Sequence, residues 1–189
     1  PLSSWWTENT KTGVKVLYSI QNQTKEFELP FKLRHKEFVT ETIELDENNT
    51  SIKTDTSVKR MEQIQKLNAI LGESRAEGFW TSEKFIQPVK CERRTSFFAD
   101  RRTFKYTTGN SSTSLHYGID YGVPEKTEVA ACAGGKVVLA ETRVTTGWSV
   151  VIEHVPGLYS LYYHMSELKV KEGDMVKQGQ VIGLSGSTG

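Results

Sequence analysis

The segment Ser114-Leu-His-Tyr-Gly-Ile-Asp120 sets an imidazole, His116, four residues ahead of a carboxylate, Asp120, among apolar and glycine neighbours. A neutral imidazole and a carboxylate are donors that a borderline divalent ion such as zinc accepts. An even separation puts both side chains on one face of a strand, and four residues do the same on a helix. Gly118 between them and Gly122 after them favour the strand. Spacing alone leaves the plain alternative open, a histidine held by one hydrogen bond. His164 is a third candidate, in Leu161-Tyr-Tyr-His-Met165: either a proton-handling group or a strand histidine bonded beside Tyr162 and Tyr163. His154 stands at a strand end before Pro156-Gly157 and reads as structural, while His35, between Arg34 and Lys36, reads as solvated.

The elements that must position these groups divide the chain. Val14–Ile20, Lys25–Leu33 and Glu37–Leu45 alternate apolar and polar residues, with turns at Asn22-Gln-Thr24 and Asp46-Glu-Asn-Asn49. A small antiparallel β domain is therefore expected over residues 1–56. From Ser57 the period changes: Val58, Met61, Ile64, Leu67 and Leu71 recur three or four apart, predicting an amphipathic helix capped at Ser57 and ended at Gly72. Helix and polar connector, with Phe79-Trp80 packing back, span residues 57–84. From residue 85 to 189 no helical period returns. Lys136–Ala140, Ser149–Ile152 and Tyr159–Tyr163 are rich in β-branched and aromatic residues, and Gly147, Pro156-Gly157, Gly173 and Gly179 supply turns. The expected fold class is mainly β, with no internal repeat.

A chain of 189 residues suits one large or two small domains. Hydrophobic residues at 37% and charged residues at 25% are those of an ordinary globular protein. The formal net charge of +1 gives no field that would draw nucleic acid or an anionic membrane. No apolar run reaches the ~20 residues needed to cross a bilayer. An opening Pro-Leu without Met is that of a trimmed chain, so an export signal would already be gone. Cys91 and Cys132 form one disulfide in an oxidising compartment, or Cys132, among Ala130, Ala131 and Ala133, is a small buried hydrophobe. Trp5-Trp6 is either a sugar-stacking platform or an anchor for the terminus.

Several blocks occur in order: Phe85-Ile-Gln-Pro-Val89, Thr95-Ser-Phe-Phe-Ala-Asp-Arg-Arg102, His116-Tyr-Gly-Ile-Asp-Tyr-Gly-Val-Pro124 and Val129-Ala-Ala-Cys-Ala-Gly-Gly-Lys-Val137. Gly147-Trp-Ser-Val-Val-Ile-Glu-His154, Leu161-Tyr-Tyr-His164, Val170 to Gly183 and Gly186-Ser-Thr-Gly189 come after them. Over residues 85–189 they resemble the lysostaphin/LytM-type zinc metallopeptidases, which cut peptidoglycan. The resemblance implies a twisted, mostly antiparallel β-sheet with a groove and a zinc ion on its floor. His116 and Asp120 match the first two zinc ligands, and the third is the second histidine of a His-x-His pair beyond Gly189. The segment as written is thus a peptidase domain incomplete at its C-terminus. His164 matches a histidine that does not bind metal but moves a proton or stabilises the tetrahedral oxyanion. Arg101 and Arg102 follow Phe-Phe-Ala-Asp where the family more often has Phe-Gly; they line the groove for acidic stem peptides or pair within the fold. The implied function is an exported, periplasmic or envelope-associated endopeptidase acting on peptidoglycan. The alternative is a related module that binds wall or activates an amidase without catalysis. A carrier-domain likeness in Val170 to Gly183 lacks a convincing modifiable lysine.

Overall fold

A computed structural model describes residues 9, 13–29, 31, 33–73 and 83–187. The expectations for Trp5, Trp6, Phe79 and Trp80 lie outside the described residues. The protein is mainly β, as its sequence predicts, and its core is an antiparallel six-stranded sheet ordered β12-β9-β10-β11-β13-β8. These strands are β8 (Glu128–Ala130), β9 (Gly135–Arg143), β10 (Gly147–Val155), β11 (Leu158–Leu168), β12 (Met175–Val176) and β13 (Val181–Ser185). Strand β10 carries the unbroken apolar run Val150-Val151-Ile152, and all three residues are fully buried, as a central strand covered on both faces requires. Leu139, Met165 and Ile182 complete the largest buried side chains.

Strand β11 is irregular in two places. Trp148 and Val150 of β10 face Met165 and Tyr162, so β11 holds one extra residue there. A second register shift separates Met165 from Glu167 against β13. Such bulges re-aim side chains beside functional sites.

The N-terminal region departs from the expected antiparallel sheet. Strands β1 (Val14–Ile20) and β2 (Gln23–Leu29) form an isolated hairpin. Strand β3 (Thr40–Glu44) leaves them and runs parallel to β5 (Arg101–Lys105), which pairs antiparallel with β6 (Ser111–Leu115). β3 thus extends a sheet of the C-terminal region. Asp46-Glu-Asn-Asn49, read as a turn, opens helix α1 (Glu47–Thr54) instead, with the Asp46 carboxylate accepting from Asn49 N–H at 2.7 Å. An aspartate cap with Glu47 in the first turn and Lys53 in the last satisfies both ends of a short helix. Helix α2 (Val58–Gly72) forms where the periodicity places it, with Ser57 capping Arg60 N–H. None of its residues is buried, so it lies on the surface of the sheet rather than in a core.

Candidate functional site

His116 and Asp120 do not share a strand, as their spacing suggests; the chain leaves β6 at Leu115, bends at Gly118 and re-enters strand at β7 (Asp120–Tyr121). The bend, rather than strand pleat, turns the two side chains together. Strand β7 pairs with β4 (Arg94–Ser96), setting Ser96 opposite Asp120. A turn over Phe97–Asp100 then grips the His116 backbone: Ala99 N–H donates to His116 C=O at 2.7 Å, and His116 N–H donates to Asp100 C=O at 2.8 Å. Ala99 is fully buried with φ 71°, a left-handed conformation that an L-residue with a Cβ rarely takes. Asp100 is itself fixed, its carboxylate accepting from Phe97 N–H at 2.8 Å and Ser96 O–H at 3.2 Å. The Phe97 N–H bond holds this carboxyl below its ordinary range.

The imidazole tautomer is set by its neighbours. His116 Nδ1 lies 3.0 Å from the Phe97 carbonyl, which can only accept, so Nδ1 carries the hydrogen; Ser96 Oγ lies 3.1 Å from the same nitrogen. The Nε2 lone pair then faces Asp120 Oδ1 at 3.1 Å. A lone pair set against a carboxylate oxygen demands a second proton or a cation between them. Two ligand atoms on a tetrahedral zinc at its usual bond lengths lie about 3.3 Å apart, close to what is seen. The outer oxygen, Asp120 Oδ2, accepts from Arg102 at 3.0 Å, and Arg102 Nε also reaches Glu41 of β3 at 2.9 Å. A carbonyl behind the imidazole and a donor behind the carboxylate are the outer contacts that metal ligands usually have. The pair therefore fits zinc. Among the described residues no group of three or more His, Cys, Asp or Glu side chains is placed to hold a metal ion.

The two arginines fall differently. Arg102 is committed to the two carboxylates, while Arg101 donates to Ala99 C=O at 2.7 Å and stacks on Phe38 at 4.2 Å. Sequence reasoning missed Ser96, Asp100 and Glu41 as supports. Ser96 and Asp100 are ordinary polar residues that nothing in the sequence sets apart before the fold places them. Glu41 had no signal either, because its approach depends on a long-range parallel pairing.

His164 sits in the first bulge of β11, half-buried, with φ 58°. Its N–H donates to Thr146 C=O at 2.9 Å, and its C=O accepts from Gly186 N–H at 2.7 Å. A Cβ on Gly186 would come within 2.9 Å of Met165 and Ser166 backbone, so only glycine lets the chain after β13 approach here. The ring meets Tyr163 edge-to-face at 6.4 Å.

The remaining sulfur and imidazole groups form a separate buried cluster. Cys91 and Cys132 are both free. His154 is fully buried, bonded to Gly134 C=O at 2.8 Å and Ser160 Oγ at 2.7 Å, with Cys132 Sγ at 3.8 Å. Tyr162 O–H donates to the same sulfur at 3.0 Å, and burial pushes the Tyr162 phenol far up. A cavity of about 440 Å³ lies between α2 and β9, lined by Lys66, Lys136, Tyr159 and Glu172 among others; His116, Asp120 and His164 do not line it.

Comparison with known proteins places this geometry. Residues 114–189 match the model of peptidase family M23. The chain is 37% identical over 103 residues to stage II sporulation protein Q of Bacillus subtilis, covering 53% of this chain and 36% of that protein. It is 43% identical over 75 residues to the DD-carboxypeptidase/endopeptidase Mpg of Neisseria meningitidis, covering 40% of this chain and 17% of that protein. The chain thus spans little more than a third of these relatives' length at most. A crystal structure of a putative M23 peptidase from Pseudomonas aeruginosa superposes with a TM-score of 0.66 at 24% identity, over 96% of this chain and 64% of that one. A zinc-containing peptidase from Vibrio cholerae superposes with a TM-score of 0.50 at 32% identity, over 57% and 33%. Residues 114–189 are thus similar to peptidase family M23, in line with the lysostaphin/LytM-type likeness that the sequence carries.

Proposed function

We propose that the chain is the catalytic part of a zinc-dependent endopeptidase that hydrolyses peptide bonds in peptidoglycan stems or cross-bridges. The observation that carries this reading is His116 Nε2 facing Asp120 Oδ1 at 3.1 Å, with the imidazole hydrogen committed to Phe97. His116 and Asp120 are two zinc ligands, and a histidine from a downstream His-x-His is the third. Zinc, when bound there, acidifies water and polarises a scissile carbonyl. His164 moves a proton or donates to developing negative charge on the substrate, in the orientation that the bulge gives it. Arg102 serves by holding Asp120, and Arg101 by bracing the Phe97–Asp100 turn through its bond to Ala99 C=O. Residues 85–189 form the peptidase unit, preceded by the hairpin region to residue 56 and the helix with its connector over residues 57–84. The name of a further relative, the peptidoglycan DD-endopeptidase ShyA of Vibrio cholerae, 36% identical over 102 residues, supports peptidoglycan as substrate, and with it export to the periplasm or cell envelope.

Metal titration of the full-length protein tests the ligand pair. One zinc per chain is expected, with affinity in competition against a chromophoric chelator falling about 100-fold or more in His116→Ala and Asp120→Ala. Zinc bound equally by wild type and both variants contradicts the assignment. A second reading, a wall-binding or amidase-activating module without catalysis, is favoured by one observation: a relative covering over half of this chain is named for sporulation rather than for hydrolysis. Zinc-free full-length protein that still binds peptidoglycan would support it.

A further inference from the structure

Helix α2 touches the sheet at the turn between β9 and β10, and one side chain makes the decisive contact. Gln63 Nε2 donates to Thr142 C=O at 2.9 Å, and Gln63 Oε1 accepts from Val144 N–H at 2.8 Å. A single planar amide thus satisfies an acceptor and a donor two residues apart, as a neighbouring strand would. Gln63 C=O also accepts from Arg143 at 3.5 Å, and Arg143 reaches Thr146 Oγ1 at 3.4 Å. Thr146 Oγ1 lies 2.8 Å from Ser149 Oγ, which donates in turn to Gly147 C=O. The turn fixed in this way presents the Thr146 carbonyl to His164 N–H.

We infer that Gln63 is a positioning residue for His164: by clamping the β9–β10 turn, α2 fixes the carbonyl that fixes the His164 backbone. A left-handed histidine persists only where its surroundings over-determine it, and the backbone bonds to Thr146 and Gly186 help to hold this one. The N-terminal region therefore braces the site through α2. Val58 and Met61 of α2 stand exposed at 74% and 49% while Ile64, Leu67 and Ile70 are half-buried, so the helix rests on the sheet partly by its apolar face, and the Gln63 bonds are its polar hold on the turn itself. The inference rests on the proposed function for what His164 does, and on geometry alone for what holds it.

The test uses the full-length protein with Gln63→Leu, which removes both side-chain hydrogen bonds at similar bulk. The control is Lys66→Met on the same helix, which removes the contacts to Glu141 of β9 at 2.6 Å and to Glu172 at 3.7 Å and leaves the Gln63 bonds to the turn in place. Backbone hydrogen exchange is followed at Val144 and His164, and kcat, KM and zinc affinity are measured on a peptidoglycan peptide. Gln63→Leu should speed exchange at both amides and lower kcat about 10-fold or more. KM and zinc affinity should hold, and Lys66→Met should change none of these. Unchanged exchange at His164, equal effects in the two variants, or faster exchange with unchanged kcat overturns the inference. If the wild type cuts no peptidoglycan, the functional reading fails, and exchange alone decides whether Gln63 positions His164.

Discussion

The Phe97 carbonyl removes one of two choices from His116, and the rest of the site is built on that proton. With Nδ1 as donor, Nε2 must meet Asp120 through a cation or a second proton. Support for this histidine comes from a turn whose own strain can be tested. Ala99, buried and left-handed, leaves no room for a branched side chain, so Ala99→Val should lower stability by about 2 kcal/mol or more, while Ala99→Gly stays within about 1 kcal/mol. Urea unfolding of both variants checks this. Asp100 gives a pH signature. Its folded carboxyl lies below the ordinary range because Phe97 N–H bonds it, so its stabilisation is present above the unfolded value and is lost as pH falls through the folded one. Wild-type stability should therefore fall below about pH 4, and Asp100→Asn should flatten that fall in chemical denaturation at several pH values. At this scale residue type made one juxtaposition legible, His116 with Asp120, which the fold brings to 3.1 Å. The sequence was not legible for Ser96, Asp100 or Glu41, whose side chains are ordinary polar groups until the fold places them.

Among the elements, α2 was the most readable, because Ser57, a heptad-like apolar series and Gly72 agree on one helix. Helix α1 was hidden, since Asn48, Asn49, Thr50 and Ser51 are weak helix formers and only the Asp46 cap argued otherwise. Strand β3 was found as a strand and assigned to the wrong neighbour. Alternation marks a half-buried strand but does not say which edge it joins, and the parallel pairing with β5 crosses some 60 residues of chain. That pairing is what brings Glu41 to Arg102 and so to Asp120. The β11 bulge was equally invisible, because one extra residue leaves the apolar pattern of Tyr159–Tyr163 intact. Gly186→Ala tests its importance: the added methyl meets three backbone atoms of residues 164–166, so the variant should lose about 1–3 kcal/mol of stability and displace the His164 carbonyl. Thermal unfolding combined with the amide shift of His164 would register both.

As a whole molecule, the protein concentrates its buried apolar side chains in the six-stranded sheet, which carries His164 on β11, while His116 and Asp120 come from the segment between β6 and β7. Leu139 and Ile152 are fully buried, whereas Leu17 of the hairpin is 63% exposed. Ile152→Ala should cost about 2–5 kcal/mol and Leu17→Ala no more than about 0.5 kcal/mol, as read by equilibrium unfolding. Fold class was legible across this scale, because β-branched runs punctuated by glycine persist from residue 128 to 185. The relation of the N-terminal region to the sheet was not, since polar contacts such as Gln63 to Val144 leave no periodic trace. The central claim, a zinc-dependent peptidoglycan endopeptidase built on His116, Asp120 and His164, is tested most directly by its products. Purified peptidoglycan would be digested with the full-length protein, with and without a zinc chelator and with His116→Ala alongside, and the fragments read by mass spectrometry. The account predicts new muropeptides from cleavage of a peptide bond, abolished by the chelator and by His116→Ala. Unchanged peptidoglycan with zinc confirmed in the protein, or cleavage that survives His116→Ala, would contradict it.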